Sequence, residues 1–161
     1  KNKTENSRPF VIHASSHSRQ SEAISISNKL RQNGYDAYFA PVRITKNVKF
    51  YRVFIGRFTT WDQARRMVKT LKKNHLVRYP MVIPYPFALR VGEVGSILEA
   101  REFLERLRSK GISSLLSISK STSQKGIQFE VYVGAFKKPE NAIWLTKKLE
   151  QAGFSFKQIR P

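Results

Sequence analysis

The segment Tyr51-Arg-Val-Phe-Ile-Gly-Arg-Phe58 has a counterpart in Phe129-Glu-Val-Tyr-Val-Gly-Ala-Phe136, and this pair of segments decides the fold. Both segments are rich in β-branched and aromatic residues, which is typical of β-strands. Before this pair of segments, matching residues lie 77 positions apart: Phe10 with Phe87, Ala23 with Ala100, Leu30 with Leu107 and Gly34 with Gly111. After the pair, they lie 78 positions apart: Ala64 with Ala142 and Leu71 with Leu149. A period of this length exceeds that of solenoid repeats, so the sequence predicts two copies of one small domain.

Within each copy, strand-like and helix-like periodicities alternate in the order βαββαβ. Ala23, Ile26 and Leu30 form the apolar stripe of one amphipathic helix, stepping by three and four residues. The sequence therefore predicts an α+β protein with two four-stranded antiparallel sheets, each with two helices on one face, a ferredoxin-like or RNP-like arrangement. The predicted boundaries are a polar tail at 1–8, a first domain at 9–84 and a second at 85–161.

Local signals mark the ends of the predicted elements. Thr60-x-x-Gln63 and Ser96-x-x-Glu99 are capping boxes, in which a side chain satisfies free N–H groups at a helix start. Gly34 and Gly111 follow helices at positions suited to a left-handed C-cap, and Pro139 suits the first turn of a helix. The single extra residue of the second copy is predicted to lie in a hairpin, which joins strands around 44–48 in one copy and 121–126 in the other.

Composition limits the function. The 161 residues carry a net charge of +19, with +13 in residues 1–84 and +6 in residues 85–161, so any polyanion is expected to bind mainly to the first copy. The absence of cysteine excludes disulfides, thiolate metal sites and cysteine nucleophiles. No apolar run is long enough to span a membrane, and the polar start from Lys1 to Arg8 indicates a fragment or a processed form.

The first copy resembles the SPOR (sporulation-related repeat) domains of bacterial cell-envelope proteins. Tyr51 to Phe58, followed by Ala64 and Leu71, is similar to the YRVxVGPF segment and following helix of that family. The opening strands, Phe10-Val-Ile-His-Ala-Ser15 and Phe87-Ala-Leu-Arg-Val-Gly92, are similar to the family's YxVQVG start, so the resemblance covers nearly all of residues 9–160. It implies a module in the periplasm or cell envelope that needs no cofactor and binds peptidoglycan glycan strands stripped of their stem peptides, as at a division septum.

Alternation along the strands assigns the two faces of each sheet, because residues i and i+2 share a side. The residues predicted to face the helices are Ile12, Ala14, Ala37, Phe39, Val53 and Ile55. The residues predicted on the open face, where the resemblance places glycan binding, are His13, Tyr38, Arg52 and Phe54 with Val11 in the first copy, and Arg90, Tyr132 and Lys157 with Leu115 in the second. Aromatic rings there can stack on sugars, and the cations can pair with lactyl carboxylates. The same face can also be covered by a terminal segment or by the other domain.

The second copy departs from the family pattern. Arg90 stands where the family has glutamine, and Glu130 replaces the arginine that the first copy keeps as Arg52. Glu130 would repel a lactyl carboxylate, or it can pair with Arg90 across the sheet. An alternative function is therefore a structural subunit that contacts envelope or divisome proteins. Trp144 lies beside the stripe of the last helix and is interpreted as a core-edge residue or an anchor for a partner.

Other functions fit less well. An RNA-recognition motif shares this topology and charge, but its third strand places glycine before the stacking aromatics, whereas Gly56 and Gly134 come at the end of the strand. His13, His17 and His75 lack carboxylates at ligand spacing, so no metal site is predicted. No nucleophile, paired-acid or phosphate-loop arrangement is recognisable, so the sequence argues against an enzyme.

Overall fold

The computed structural model describes residues 7–43, 45–120 and 126–159, and its strands form two four-stranded antiparallel sheets. The first half contains β1 (Phe10–His17), α1 (Gln20–Gln32), β2 (Ala37–Arg43), β3 (Lys49–Phe58), α2 (Trp61–Lys73) and β4 (Met81–Pro84). The second half contains β5 (Phe87–Val94), α3 (Ile97–Ser109), β6 (Leu115–Lys120), β7 (Ile127–Phe136), α4 (Ile143–Gln151) and β8 (Lys157–Ile159). The strand orders are β2-β3-β1-β4 and β6-β7-β5-β8, so the predicted α+β fold is confirmed.

The predicted helix-start residues lie at the starts of helices, and the capping box is complete at α2. Thr60 and Gln63 form a reciprocal capping box at the start of α2, and the hydroxyl of Ser96 accepts a hydrogen bond from the backbone N–H of Glu99 at 3.2 Å. Pro139 opens a short 3-10 turn, Pro139–Ala142, that leads into α4. The connections between β2 and β3 and between β6 and β7 differ by the one residue that the repeat offset requires. Ile44 and residues 121–125 of these connections, and residues 1–6 of the predicted tail, lie outside the described residues.

The repeated Gly-x-Phe motif forms a β-bulge. Gly56 has a φ of +66° and Gly134 a φ of +73°, a left-handed conformation that side chains disfavour. A β-carbon on Gly56 would lie 2.7 Å from the ring of Phe58, and one on Gly134 would lie 2.5 Å from the ring of Phe136. Pairing of β1 with β3 and of β5 with β7 shifts register at these glycines. The bulge turns the residue after each glycine toward the helix-free face of its sheet.

Each sheet has an apolar core on its helix side. In the first half, the six residues predicted to face the helices all belong to this core, together with Ala64 and Leu71 of α2. Leu89, Val131 and Val133 occupy the corresponding places in the second half, under Leu107 and Leu149. Alternation along the strands therefore assigned the core correctly. No helix in the described part of the chain is long and apolar enough to cross a membrane.

The helix-free faces of the two sheets pack against each other. Val11, Tyr38, Ala40 and Phe54 of the first sheet form one buried cluster with Leu115 and Ala135 of the second. Cα atoms of β2 and β7 come within 8 Å of each other, closer than the roughly 10 Å typical of stacked sheets, because alanines meet there. The prediction that both faces lie open is therefore wrong for this part of each sheet.

Candidate functional site

Six of the seven predicted site residues lie in two equivalent rows that cross the sheets. In the first sheet, Phe54 of β3 pairs with Tyr38 on one side and with His13 on the other, and His13 pairs with Met81 of β4. The corresponding row of the second sheet is Leu115, Tyr132, Arg90 and Lys157. Arg52 lies outside these rows, opposite Ser16 and Ala40. The structure thus brings the predicted residues of each half together on one face.

Contact between the sheets divides the first row into a covered end and an accessible end. Tyr38 and Phe54 are both 0 % exposed, with ring centroids 5.6 Å apart. The expectation that these two rings form an exposed stacking platform is wrong, because the second half covers them. His13 is half-buried and Met81 is 58 % exposed. A ligand that approaches this face of the first sheet therefore meets its β1 and β4 side.

Tyr85, in the short connection between the halves, is a site residue that the sequence did not indicate. Its ring packs on Phe54 with centroids 6.1 Å apart, and its hydroxyl accepts a hydrogen bond from Nη1 of Arg52 at 2.6 Å. Both Tyr85 and Arg52 stay half-buried at the surface. In the sequence, Pro84 and Pro86 flank Tyr85 and restrict the backbone around it. This restriction is the sequence feature that indicates a fixed position for the ring. Arg52, His13 and Tyr85 together form the accessible rim of the first sheet.

The corresponding charges of the second sheet neutralise one another. Nη1 of Arg90 lies 3.6 Å from a carboxylate oxygen of Glu130 and 3.9 Å from one of Glu93. The Tyr132 hydroxyl donates a hydrogen bond to the other Glu130 oxygen, and burial with this carboxylate raises the pKa of Tyr132. The predicted cross-strand pair of Arg90 and Glu130 is confirmed. Lys157 is exposed at the end of this row.

Arg57 is a half-buried cation between the sheets that the sequence analysis did not select. It follows Gly56 in the bulge, and its Nη2 donates to the carbonyls of Arg8 at 3.2 Å and Pro86 at 3.0 Å. Its Nη1 is buried without a hydrogen-bond partner in the described residues. Burial lowers the pKa of Arg57 and raises that of the neighbouring Tyr38 hydroxyl, which donates to the Gly56 carbonyl at 3.0 Å. In the second half Ala135 takes the equivalent position and brings no charge.

Polar contacts extend the joint between the halves beyond the apolar cluster. Arg31 of α1 donates to the carbonyl of Ser114 at 2.9 Å, and the backbone N–H of Phe39 donates to the Ser113 hydroxyl at 3.0 Å. The guanidinium carbon of Arg43 and the Nζ of Lys49, both in the first half, each lie 4.7 Å from the centroid of the Trp144 ring in α4. Trp144 therefore anchors one half to the other.

His13 should make the stability of the protein depend on pH. Burial, followed by the positive charge of Arg52, lowers the pKa of His13 from its ordinary value of 6.5. The unfolded chain then binds this proton more readily than the folded one, so the free energy of unfolding should fall as the pH drops through about 6.5. Urea denaturation between about pH 7.5 and pH 5.5 should show this loss, and His13→Gln should lose less over the same range. Identical pH dependence in both proteins would contradict it.

One family model matches the first half of the chain. The SPOR domain model matches residues 6–79, which include β1, α1, β2, β3 and α2 of the first half. The SPOR family consists of peptidoglycan-binding modules that are in general non-enzymatic. The match ends before β4 and does not confirm a tandem arrangement, although the second half has the same strand order.

Two further comparisons add no functional assignment. A crystal structure described as a "putative glycine cleavage system transcriptional repressor" is similar over 94 % of this chain and 97 % of its own, with 12 % identity and a TM-score of 0.27. A likeness at that score carries no conclusion about this chain. No curated protein matches it at a significant level.

Proposed function

We propose that this protein is a non-catalytic module of the bacterial cell envelope that binds peptidoglycan glycan strands lacking stem peptides. The observation that carries the proposal is the SPOR match over residues 6–79, since that family binds peptidoglycan. A periplasmic or envelope location follows from the same ligand. The second half would be a SPOR-like domain of the same descent, with the two domains meeting near Pro84 to Pro86.

The chemistry of the accessible rim supports this ligand. A stripped strand presents apolar sugar faces, many hydroxyls and one lactyl carboxylate on every second sugar. Arg52 can donate a charge-assisted hydrogen bond to a carboxylate, and a neutral His13 can form a hydrogen bond with a hydroxyl. The half-buried ring of Tyr85, whose hydroxyl bonds to Arg52, offers an aromatic surface beside them. The site proposed for the glycan is therefore His13, Arg52 and Tyr85, without the covered rings of Tyr38 and Phe54.

A second candidate function is protein contact within an envelope assembly. Two observations favour it for the second half. The carboxylates of Glu93 and Glu130 form ion pairs with Arg90, and the helix-free face of this sheet packs against the other SPOR-like sheet. Recognition of RNA is disfavoured further, because the rings that would stack on bases are 0 % exposed.

The test is a pulldown with purified sacculi, with and without prior removal of stem peptides by an amidase. We expect binding to increase on stem-peptide removal, and Arg52→Ala to weaken it by roughly 10-fold to 100-fold, the value of a charge-assisted hydrogen bond. Equal binding to both kinds of sacculi, or none, would favour the protein-contact function.

Two control variants separate the role of Arg52 in binding from its role in the fold. Tyr85→Phe removes the hydroxyl that accepts from Arg52 but keeps the ring and the cation, so sacculus binding should persist. Arg101→Ala removes an exposed cation of α3, far from the rim, and should bind as the parent does. A folded Arg52→Ala protein with full binding would show that the glycan site lies elsewhere.

A further inference from the structure

The outer surface of α2 carries an uncompensated positive charge. Its apolar side, including Ala64 and Leu71, packs on the first sheet, so this surface points away from the contact between the halves. The exposed cations of α2 and the loop after it are Arg65, Arg66, Lys69, Lys72, Lys73 and Arg78, called the basic surface below. None of them forms a salt bridge with a carboxylate of the described residues. Asp62 is the single acidic residue between Asp36 and Glu93 in the sequence, so the local field stays strongly positive.

The end of α2 borders a depression that suits an anionic headgroup. Lys72, His75, Leu76, Val77 and Arg78 line this depression, which has a volume of about 510 Å³. His75 adopts a left-handed φ of +53°, which ends the helix at this point. Two basic side chains and an imidazole thus border a space open to solvent, and donors of this kind bind phosphate oxygens.

Exposed apolar side chains flank the basic surface at both ends. Trp61, at the start of α2, is 48 % exposed, and Tyr79, after its end, is 72 % exposed. A helix of 13 residues is about 20 Å long, so these groups lie at opposite ends of an extended face. Tryptophan and tyrosine beside lysine and arginine are the combination found at the interface between a bilayer and water.

We propose that the basic surface docks on an anionic phospholipid bilayer, with a lipid phosphate in the depression beside Lys72 and Arg78 and with Trp61 and Tyr79 at the level of the headgroups. A bilayer fits better than a single-stranded nucleic acid because the cations lie on the outward face of a helix, with exposed apolar groups at its ends. A single-stranded nucleic acid is expected to meet a concave groove or a row of accessible stacking rings. The site is separate from the proposed glycan rim and does not depend on it, so one protein could contact the membrane and the cell wall together.

Vesicle cosedimentation tests the proposal on the whole chain. We expect binding to vesicles of phosphatidylcholine with about 30 % phosphatidylglycerol, and none to phosphatidylcholine alone. The variant Arg65→Gln, Lys69→Gln, Lys72→Gln should bind roughly 100-fold more weakly, because each basic residue at an anionic surface contributes on the order of 5-fold. Tyr79→Ala should weaken binding further, and this part of the loss should persist at about 0.5 M salt, where charge attraction is screened.

The matched control is Arg101→Gln, Lys110→Gln, Lys147→Gln, which removes the same charge from exposed positions of the second half. It should keep most of the binding. The proposal is wrong if both triple variants lose binding equally, since net charge alone would then act. It is also wrong if the parent chain binds a single-stranded RNA of random sequence and no vesicle. Sacculus binding of the α2 variant should stay unchanged, so failure here is distinguishable from failure of the glycan site.

Discussion

Phe54→Ala should destabilise the protein by about 3 to 5 kcal/mol, the usual cost of deleting a fully buried phenyl ring. The ring is 0 % exposed and packs on Tyr38, Tyr85 and His13 with centroids 5.6, 6.1 and 6.3 Å away. Removing it leaves a cavity between the sheets that neighbouring side chains refill only in part. Chemical denaturation monitored by circular dichroism would measure the change in the free energy of unfolding.

Leu98→Ala is the control for this prediction. Leu98 is a large apolar residue of α3 that is 68 % exposed, so its truncation should change the free energy of unfolding by less than about 0.5 kcal/mol. If Phe54→Ala behaves like Leu98→Ala, the aromatic face of the first sheet is open in solution and the two sheets do not dock there. Tyr38 and Phe54 would then return as candidate glycan contacts.

Ala135→Trp should separate the two halves without unfolding either. The Ala135 side chain is 1 % exposed in the inter-sheet cluster, where the sheets approach closely because it and Ala40 are small. An indole has no space there. Overpacking a core costs about 1 to 3 kcal/mol or more, and we expect the two sheets to separate because this relieves the strain. The radius of gyration should rise by several ångströms above the roughly 15 Å of a compact chain of this length. Small-angle X-ray scattering measures this rise, and binding of a hydrophobic dye should report the exposed faces.

Glu102→Trp is its matched control, because it adds the same indole at an exposed position of α3. Its radius of gyration and circular dichroism should match those of the parent chain. An Ala135→Trp protein that stays compact and binds no dye would mean that the halves are joined by other contacts, such as Trp144 with Arg43 and Lys49. Loss of the circular dichroism signal would instead mean that the contact between the sheets is needed for each half to fold.

The candidate site was only partly predictable from the sequence. Alternation placed His13, Tyr38 and Phe54 on the helix-free face correctly, and pairing brought Arg90 beside Tyr132 and Lys157 as expected. Exposure could not be derived in the same way, because a face that one sheet leaves open is closed by a partner distant in the sequence. Arg57 was missed because the bulge at Gly56 reverses the alternation that the assignment relied on.

The sequence by itself determined the internal repeat, the βαββαβ order, the helix caps and the helix-side core, because these depend on spacings of a few residues or on matches between the copies. The docking of the two sheets depends on how their shapes fit. The small side chains of Ala40 and Ala135 allow close approach, and Tyr85 is held between two prolines. Arg31 and Phe39 add hydrogen bonds to the second half. These contacts join residues that are far apart in the sequence, 83 positions for Arg31 and Ser114, and no local pattern specifies them. The tertiary structure therefore decided that Tyr38 and Phe54 stabilise the joint between the halves, and that the accessible rim is His13, Arg52 and Tyr85.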